Sequence, residues 1–213
     1  MSYDKLQGFF ESTTGQIISV AVLVILFAGV LLSGKKQKTN TKTMVVSALL
    51  VGLSIVLTRI TIYSLPQGGS VSLFGMLPIV ICAYFFGTRR AVMCGMCVGM
   101  IDLIFKPYVI HPIQLLLDYP LAFAMLGLAG LANKFSDKWG MIPGIILGTF
   151  GRFVCAFLSG MIFFGMYAPE GQNLVVYSIV YNGLYLVPEA IICIVLALIP
   201  QIRQLAKRLA LQD

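Results

Sequence analysis

The sequence predicts an all-α membrane protein: a polytopic bundle of six core transmembrane helices preceded by one extra N-terminal transmembrane helix. Two observations carry this prediction. The 213 residues are 59% hydrophobic and only 11% charged, which is far more apolar than a water-soluble domain requires. In addition, lysines and arginines collect on every second loop, which is the positive-inside signature of a multi-pass membrane protein.

The cationic loops alternate with loops that are poor in cations. The cations lie at positions 35, 36, 38 and 42, then 89 and 90, then 134 and 138, then 203, 207 and 208. The opposite loops, 64–70, 106–112 and 167–173, are rich in proline, glycine and aromatic residues. This pattern places the N-terminus outside and the C-terminus in the cytoplasm. Contact with anionic lipid explains the net charge of +7 better than nucleic acid does.

Apolar runs of roughly 20 residues mark the helices in chain order. The first helix is expected at 14–33; no signal-peptide cleavage motif precedes it. A polar linker at 34–43 separates it from six more closely linked helices. These are expected at 43–63, 71–87, 90–106, 113–133, 141–166 and 175–200.

Small residues at helical spacing indicate close contacts between helices. They occur at Ala48/Gly52, Gly95/Gly99 and Gly144/Gly148. Packing inside the bundle explains the last two pairs best. The first pair lies on the first helix of the six-helix unit and could instead contact a partner membrane protein. The sequence leaves both options open.

The motifs of enzyme and metal chemistry are missing from this sequence. Cys94 and Cys97 have C-x-x-C spacing, but they lie in an apolar helix and no second ligand pair exists, so packing is the better interpretation. His111 is the single histidine, and there is no H-E-x-x-H or G-x-S-x-G motif. No phosphate-binding loop is present either. We predict a protein that is not an enzyme and holds no metal or cofactor.

Polar side chains from three helices are expected to converge on the outer half of the bundle. Charges inside spans cost about 2.5–3.5 kcal/mol and mark functional positions by default. The helices supply Asp102, Asp118, Tyr177, Tyr181 and Asn182, and the outer loops add Tyr108, His111, Gln114, Tyr167 and Glu170. A carboxylate, amides and aromatic rings suit a small, flat, cationic or amine-bearing molecule. The alternative role of any single tyrosine is to anchor its helix at the membrane interface. The alternative role of Asp118 is a hydrogen bond that only stabilises the fold.

Two further charges lie deeper. Arg152 and Glu189 are each about eleven positions from the cytoplasmic end of their helix. They should therefore share a depth, and we predict an ion pair that fixes the fifth and sixth core helices beneath the pocket. Pro188 would loosen the helix there. Arg59 is near an outer helix end and is expected to extend to the interface.

Five stretches of the chain resemble a known family, the thiamine-specific substrate-binding subunits of energy-coupling-factor vitamin transporters (the ThiT type). They are residues 66–73, 76–79, 108–131, 151–164 and 167–183, in the family's order and over about two thirds of the chain. The LDYPLAF block and the YAPEG…YS…YNG block are the most specific.

The resemblance implies a cell-membrane protein whose domain 43–213 binds thiamine from outside. Residues 1–42, the extra N-terminal helix and its linker, depart from the family's pattern. The resemblance also implies a transmembrane coupling subunit and two ATPase subunits as partners. In this family an acid–tyrosine pair binds the aminopyrimidine, matched here by Asp118 and Tyr119. The other matching site positions are Tyr177, Asn182, Tyr108, Gly160 and Arg152.

The chain also departs from the family. Its one tryptophan, Trp139, falls in a cytoplasmic loop, whereas Phe164 and Ala156 stand where well-studied members have tryptophan and histidine. Asp118 is one methylene shorter than the usual glutamate. Stacking would then come from Phe164, Tyr167 and Tyr177, and a related pyrimidine or thiazole compound could also fit.

Two other classes compete with a binding subunit. A self-sufficient carrier or channel would use Asp102, Asp118, Arg152 and Glu189 as a relay, but the inner half of the bundle offers only the last two. An intramembrane enzyme would need a nucleophile–base or metal pair at one depth, and the sequence offers none.

Overall fold

The computed structural model describes residues 40–134, 141–169, 171–202 and 204, together with the single positions 14, 21, 25 and 28. The expected N-terminal helix at 14–33 lies almost wholly outside the described residues. Trp139 and Glu170 lie outside them as well. Predictions about these parts of the chain stay predictions.

The described residues form a helical bundle with one small hairpin. The elements are α1 Thr41–Arg59, β1 Thr61–Ser64, β2 Ser70–Ser72, α2 Leu77–Phe86, α3 Thr88–Phe105, α4 Pro112–Leu116, α5 Ala122–Met125, α6 Ile142–Phe163 and α7 Leu174–Leu198. A π-helical turn, Leu117–Leu121, joins α4 to α5, and a 3₁₀ segment, Leu126–Lys134, follows α5. We call Pro112–Ala132 the composite helix. The six core helices of the prediction are therefore all found.

Four of the described helices are long and apolar enough to cross a membrane: α1, the composite helix, α6 and α7. α2 has only 10 residues. α3 has 18 residues and carries Arg89, Arg90 and Asp102. The chain is thus a multi-pass membrane protein in which two of the six helices are short or partly charged.

The hairpin corrects one predicted boundary. The sequence predicts a helix from residue 71, but Val71 and Ser72 belong to β2 and α2 begins only at Leu77. β1 and β2 pair antiparallel, with Ser64 opposite Ser70. The turn between them contains Gln67 and Gly68, both at positive φ (59° and 91°). Phe74, inside the expected helix, also has a positive φ of 46°. An α-helix cannot continue through such a residue, so α2 begins after it.

α2 and its neighbours form the core. Ile79, Val80, Cys82 and Ala83 are all fully buried in one cluster with residues of α3, the composite helix, α6 and α7. The Sγ atoms of Cys82 and Cys94 lie 3.6 Å apart, which is a packing contact, whereas Cys97 is exposed. Cys82, Cys94, Cys155 and Cys193 are thus buried packing residues, as the sequence indicated, whereas this interpretation is wrong for Cys97.

Two of the three small-residue pairs are confirmed as packing contacts. A Cβ at Gly95 would overlap the carbonyl oxygen of Phe123, and one at Gly99 would overlap that of Tyr119. Gly144 and Gly148 approach the 3₁₀ segment in the same way. Gly52 differs, because a Cβ there would meet nothing within 4 Å. The Ala48/Gly52 face of α1 is exposed.

The composite helix changes its winding at the point where polar residues enter the bundle. Pro120 has no N–H to donate, and the Ala122 N–H bonds to the carbonyl of Leu117, five residues back. Single π-helical turns of this kind frequently occur at functional sites. Here the turn contains Asp118 and Tyr119.

Candidate functional site

A cavity of about 400 Å³ opens among the composite helix, α6, α7 and the hairpin. This volume lies in the range of small-molecule sites. Its lining includes both apolar rings and charged groups. The charged and amide side chains are Arg59, Gln67, Asp102, Lys106, Gln114, Asp118, Arg152, Asn182 and Glu189.

Asp118 is held in position by a buried amide. Gln114, one turn earlier on the composite helix, donates from Nε2 to Asp118 Oδ2 at 2.6 Å. The same amide nitrogen donates to the carbonyl oxygen of Tyr108 at 3.0 Å, and its Oε1 accepts from the Ile110 N–H at 3.2 Å. Gln114 therefore ties the carboxylate to the outer loop.

Tyr119 acts as a brace for the same loop. Its hydroxyl donates to the carbonyl oxygen of Lys106 at 2.7 Å and accepts from the Tyr108 N–H at 2.8 Å. Both hydrogen-bonding functions of the phenol are then engaged within the protein. Its ring remains part of the cavity lining.

Asn182 joins α6 to α7. Its Nδ2 donates to the carbonyl oxygens of Ala156 and Ser178, at 3.2 and 2.8 Å, and its Oδ1 accepts from the Tyr185 hydroxyl at 3.0 Å. Only 4% of Asn182 is exposed. Gly160 permits this close approach, because a Cβ there would overlap the Ser178 hydroxyl.

Aromatic rings form the wall nearest the outer loops. The rings of Tyr108 and Phe164 stack with centroids 5.9 Å apart and planes 21° apart. Phe164 also contacts Tyr167 at 6.1 Å, and the hydroxyls of Tyr108 and Tyr167 lie 3.1 Å apart. This hydrogen bond raises the pKa of Tyr108, so the phenol stays neutral. A flat ligand could stack on these rings.

The predicted ion pair lies at the inner end of the cavity. Arg152 Nη1 and Glu189 Oε2 are 3.9 Å apart, and only 1% of the Glu189 side chain is exposed. The Glu189 carboxylate also accepts from the hydroxyl of Ser72 on β2. The Arg152 guanidinium lies 4.3 Å from the centroid of the Phe123 ring. The pair thus joins α6 and α7, as expected, and in addition links both helices to the hairpin.

A second charged group lies at the side nearest α1 and α3. Arg59 forms an ion pair with Asp102 and lies over the Phe105 ring. The sequence did not predict this partner on α3, and the expected extension of Arg59 to the membrane interface stays a prediction. Lys106 donates to the Thr61 hydroxyl at 3.1 Å. Burial and the Arg59 charge lower the pKa of Lys106.

The cavity collects most of the side chains that the sequence singled out. The lining contains Asp118, Tyr119, Tyr108, Gln114, Arg152, Gly160, Phe164, Tyr177 and Asn182. Tyr167 lies behind this lining, where it contacts Tyr108 and Phe164. Ala156, the departure from the family pattern, also lines the cavity.

His111 is not among the lining residues. Its Nδ1 accepts from the Ile113 N–H at 3.1 Å, so the side chain caps the start of α4. Its ring stacks on Phe163 with centroids 4.8 Å apart. His111 precedes Pro112, a position typical of a helix N-cap, and this local signal competes with a pocket role.

Several lining residues were not predicted from the sequence, among them the hairpin turn, Ser159 with Ser178, and Tyr185. The turn is fixed by Tyr181, whose hydroxyl donates to the carbonyl oxygen of Pro66 and accepts from the Gly69 N–H. The PQGGS stretch signals a turn, but nothing in it indicates that the turn covers a cavity.

Comparisons with known proteins agree on one family. Residues 44–209 match the family model described as "Thiamine transporter protein (Thia_YuaJ)". A protein of Bacillus subtilis (strain 168) named thiamine transporter ThiT is 36% identical over 149 residues, which are 64% of this chain and 77% of that protein. A ThiT of Lacticaseibacillus paracasei is 35% identical over 125 residues, 52% of this chain and 62% of that protein.

A solved structure shows the same fold. The structure of ThiT from Listeria monocytogenes superimposes with a TM-score of 0.65 and 23% sequence identity. The match covers 78% of this chain and 93% of that one.

Proposed function

The chain belongs to the thiamine transporter family Thia_YuaJ, and on this premise we propose that it is the substrate-binding subunit of an energy-coupling-factor importer. It captures thiamine on the outer side of the cell membrane and presents it for ATP-driven uptake. In this proposal the chain binds and carries thiamine, and it performs no covalent chemistry. Its N-terminus lies outside and its C-terminus lies in the cytoplasm.

One observation supports thiamine as the ligand above all: a positioned carboxylate faces a wall of aromatic rings in a single cavity. The Asp118 carboxylate is fixed through Oδ2 by Gln114, and in this proposal it accepts a hydrogen bond from the ligand's amino group. Tyr108 and Phe164 stack on a ligand ring and favour positive charge on it.

The inner and outer charges have supporting roles in this proposal. Arg152 and Glu189 close the floor of the cavity, and Asn182 with Gly160 holds α6 against α7. Tyr119 and Gln114 keep the outer loop in place over the ligand.

Tyr167 and Tyr177 complete the aromatic wall of the cavity in this proposal. His111 does not line the cavity and contributes by capping α4. Glu170 is proposed to lie at the outer rim.

Energy for uptake comes from partners in this proposal. The sequence contains no phosphate-binding loop, so ATP hydrolysis is assigned to two ATPase subunits joined through a transmembrane coupling subunit. The exposed Ala48/Gly52 face of α1, where backbone can approach closely, is proposed as the contact with the coupling subunit.

A thiamine precursor is the second candidate ligand. Ala156 and Phe164, both in the lining, leave more room than the histidine and tryptophan of well-studied family members. A cavity with that extra space can hold a pyrimidine or thiazole compound in place of the whole vitamin.

Titration calorimetry of the purified full chain with thiamine tests the proposal. Wild type should bind, and Asp118→Asn should weaken binding by about 10- to 100-fold, because a charged acceptor is lost. Asp102→Asn is the matched control: it removes a carboxylate that is already paired with Arg59 and should keep the affinity within a few-fold. If well-folded wild type binds no thiamine, the ligand is wrong and the precursors are titrated next.

A further inference from the structure

The two strands of the hairpin have different surroundings. The turn and β2 belong to the cavity, and Val71 and Ser72 of β2 are buried. On β1, in contrast, Ile62 and Tyr63 are 56% and 60% exposed. The pairing of the two strands shifts between Thr61 and Tyr63, and an irregularity of this kind redirects side chains. β1 therefore presents large apolar side chains on the side of the hairpin that does not line the cavity.

The end of α3 extends this exposed surface. Ile104 and Phe105 are 75% and 62% exposed. They lie beside the start of the hairpin, because Arg59, at the end of α1, lies over the Phe105 ring. Lys106 also donates to the hydroxyl of Thr61 on β1 at 3.1 Å. The exposed apolar residues of this region, which we call the hairpin patch, are Ile60, Ile62, Tyr63, Ile104 and Phe105.

The hairpin patch continues two exposed apolar stripes. On α1, Leu53 and Val56 lead to Ile60 at helical spacing, and all three are exposed. On α3, Met100 leads to Ile104 in the same way. α1 is long and apolar enough to cross a membrane, so its exposed stripe lies against acyl chains. The patch is therefore continuous with the surface that the protein presents to lipid.

Backbone hydrogen bonding limits how deep the patch can lie. Among the described residues the sheet has two strands, so β1 has an outer edge without a strand partner. Unpaired N–H and C=O groups are very unfavourable in the hydrocarbon core, whereas an apolar edge strand in water is prone to aggregation. Tyr63 and Lys106 are of the residue types that favour the membrane interface. The interface thus suits both the backbone and the side chains.

We propose that the hairpin patch is embedded in the membrane interface, in the leaflet on the hairpin's side, with phospholipid as its partner. Ile62 and Phe105 contact the upper part of the acyl chains, and Tyr63 lies at the level of the headgroups. Lys106 keeps further N–H donors beyond its bond to Thr61 and directs them to lipid phosphate. The hairpin then has the cavity on one side and lipid on the other. This inference goes beyond the proposed function and does not depend on the identity of the ligand.

Fluorescence quenching from within the bilayer tests the inference. The single tryptophan is removed by Trp139→Phe, and Tyr63→Trp is added in the full chain. The protein is reconstituted in phosphatidylcholine vesicles whose acyl chains carry bromine either close to the headgroup or close to the chain end. The new tryptophan should be quenched more strongly by the shallow bromine than by the deep bromine, and only weakly by iodide in the buffer. Ile62→Trp replaces Tyr63→Trp if that variant does not fold, with the same expected order.

Two matched controls calibrate the depth in the same Trp139→Phe background. Leu49→Trp changes an exposed residue near the middle of α1 and should be quenched most by the deep bromine. Gln172→Trp changes an exposed polar residue of the loop before α7 and should be quenched mainly by iodide.

Three results overturn the inference. If Tyr63→Trp behaves like Gln172→Trp, β1 lies in water. If it behaves like Leu49→Trp, the strand lies in the hydrocarbon core. Protection from both bromine and iodide would mean that another protein segment covers the patch. Because no ligand is added, these outcomes are separate from the thiamine titration that tests the proposed function.

Discussion

At the scale of single residues, the Arg152–Glu189 ion pair is buried, but its two charged groups lie far apart for an ion pair. The nitrogen–oxygen distance of 3.9 Å is at the long end for an ion pair, yet Glu189 is only 1% exposed. A buried carboxylate needs several partners, and Glu189 has the Ser72 hydroxyl besides Arg152. Each partner alone is therefore insufficient, and the stability of this region depends on both.

We predict that Arg152 and Glu189 contribute to the free energy of unfolding as a coupled pair. Glu189→Gln and Arg152→Gln should each lower the free energy of unfolding in detergent, and the double variant should lose less than the sum by about 1 kcal/mol. The reason is that either single change leaves a buried charge without its counter-charge. Chemical denaturation of the four proteins measures the coupling.

Arg59→Gln is the control for this cycle. Arg59 pairs with Asp102 on the other side of the cavity, so Arg59→Gln and Glu189→Gln should be additive. Additivity of Arg152→Gln with Glu189→Gln would contradict an energetically coupled pair.

At the residue scale, the sequence predicted those contacts that depend only on how far each side chain lies from the end of its helix. Counting positions from the helix ends placed Arg152 at the depth of Glu189, whereas the position of Asp118 in the outer half stays a prediction. It did not predict that Asn182 and Tyr119 would be engaged by the protein itself, since two of their partners, Ala156 and Lys106, come from other segments. Hydrogen bonds between distant segments are fixed by packing, which a single sequence does not display.

At the scale of elements, α3 and the composite helix are in backbone contact. A Cβ at Gly99 would overlap the carbonyl oxygen of Tyr119, directly beside Asp118. Interiors are close-packed and cannot absorb an added methyl group without movement. The glycine therefore sets how near α3 lies to the turn that carries the proposed binding carboxylate.

Gly99→Ala should accordingly destabilise the protein, by about 1–3 kcal/mol. It should also weaken ligand binding, because the composite helix must shift. Gly52→Ala is the control, since a Cβ there meets nothing within 4 Å; it should be neutral or stabilising by up to about 1 kcal/mol. Thermal melting in detergent compares the two. A Gly99→Ala protein that melts with wild type would show that the helices have room to separate.

The elements were predictable from hydropathy except where tertiary contacts override it. The expected helices 43–63, 90–106, 141–166 and 175–200 agree with α1, α3, α6 and α7 to within a few residues. The helix expected from residue 71 was wrong at its start, because β2 is stabilised by pairing with β1 and by Ser72 binding Glu189 on α7. The π-helical turn was also not predicted, although Pro120 marks its place.

At the scale of the whole molecule, the outer and inner halves differ in polarity. The cavity gathers its charged groups between the hairpin and the Arg152–Glu189 pair. Below that pair, residues 190–199 of the sequence are entirely apolar. A self-sufficient carrier would need a polar path onward to the cytoplasm, and α7 supplies none. Under the proposed function, inward release of the ligand would come from movement of the whole subunit, driven by a partner.

The Ala48/Gly52 face of α1 is the proposed contact with such a partner. Both residues are exposed, and α1 has more of its surface outside the bundle than inside it. Large residues at both positions would prevent close approach of another helix without touching the cavity, whose α1 contribution is Thr58 and Arg59. Ala48→Leu/Gly52→Leu should therefore keep the affinity for thiamine while uptake by the complete complex falls at least about tenfold.

The matched control for this face is Leu53→Phe, which enlarges an exposed side chain of α1 on a different side of the helix, about 120° away by helical geometry. Binding is measured on purified protein and uptake in cells that also produce the coupling subunit and ATPases. Leu53→Phe should leave both unchanged. If the double variant loses binding together with uptake, the face packs internally in the working protein; if it loses neither, the coupling subunit contacts another surface. Loss of uptake with unchanged binding would place the contact at Ala48 and Gly52, because the double variant differs from wild type only on this face of α1.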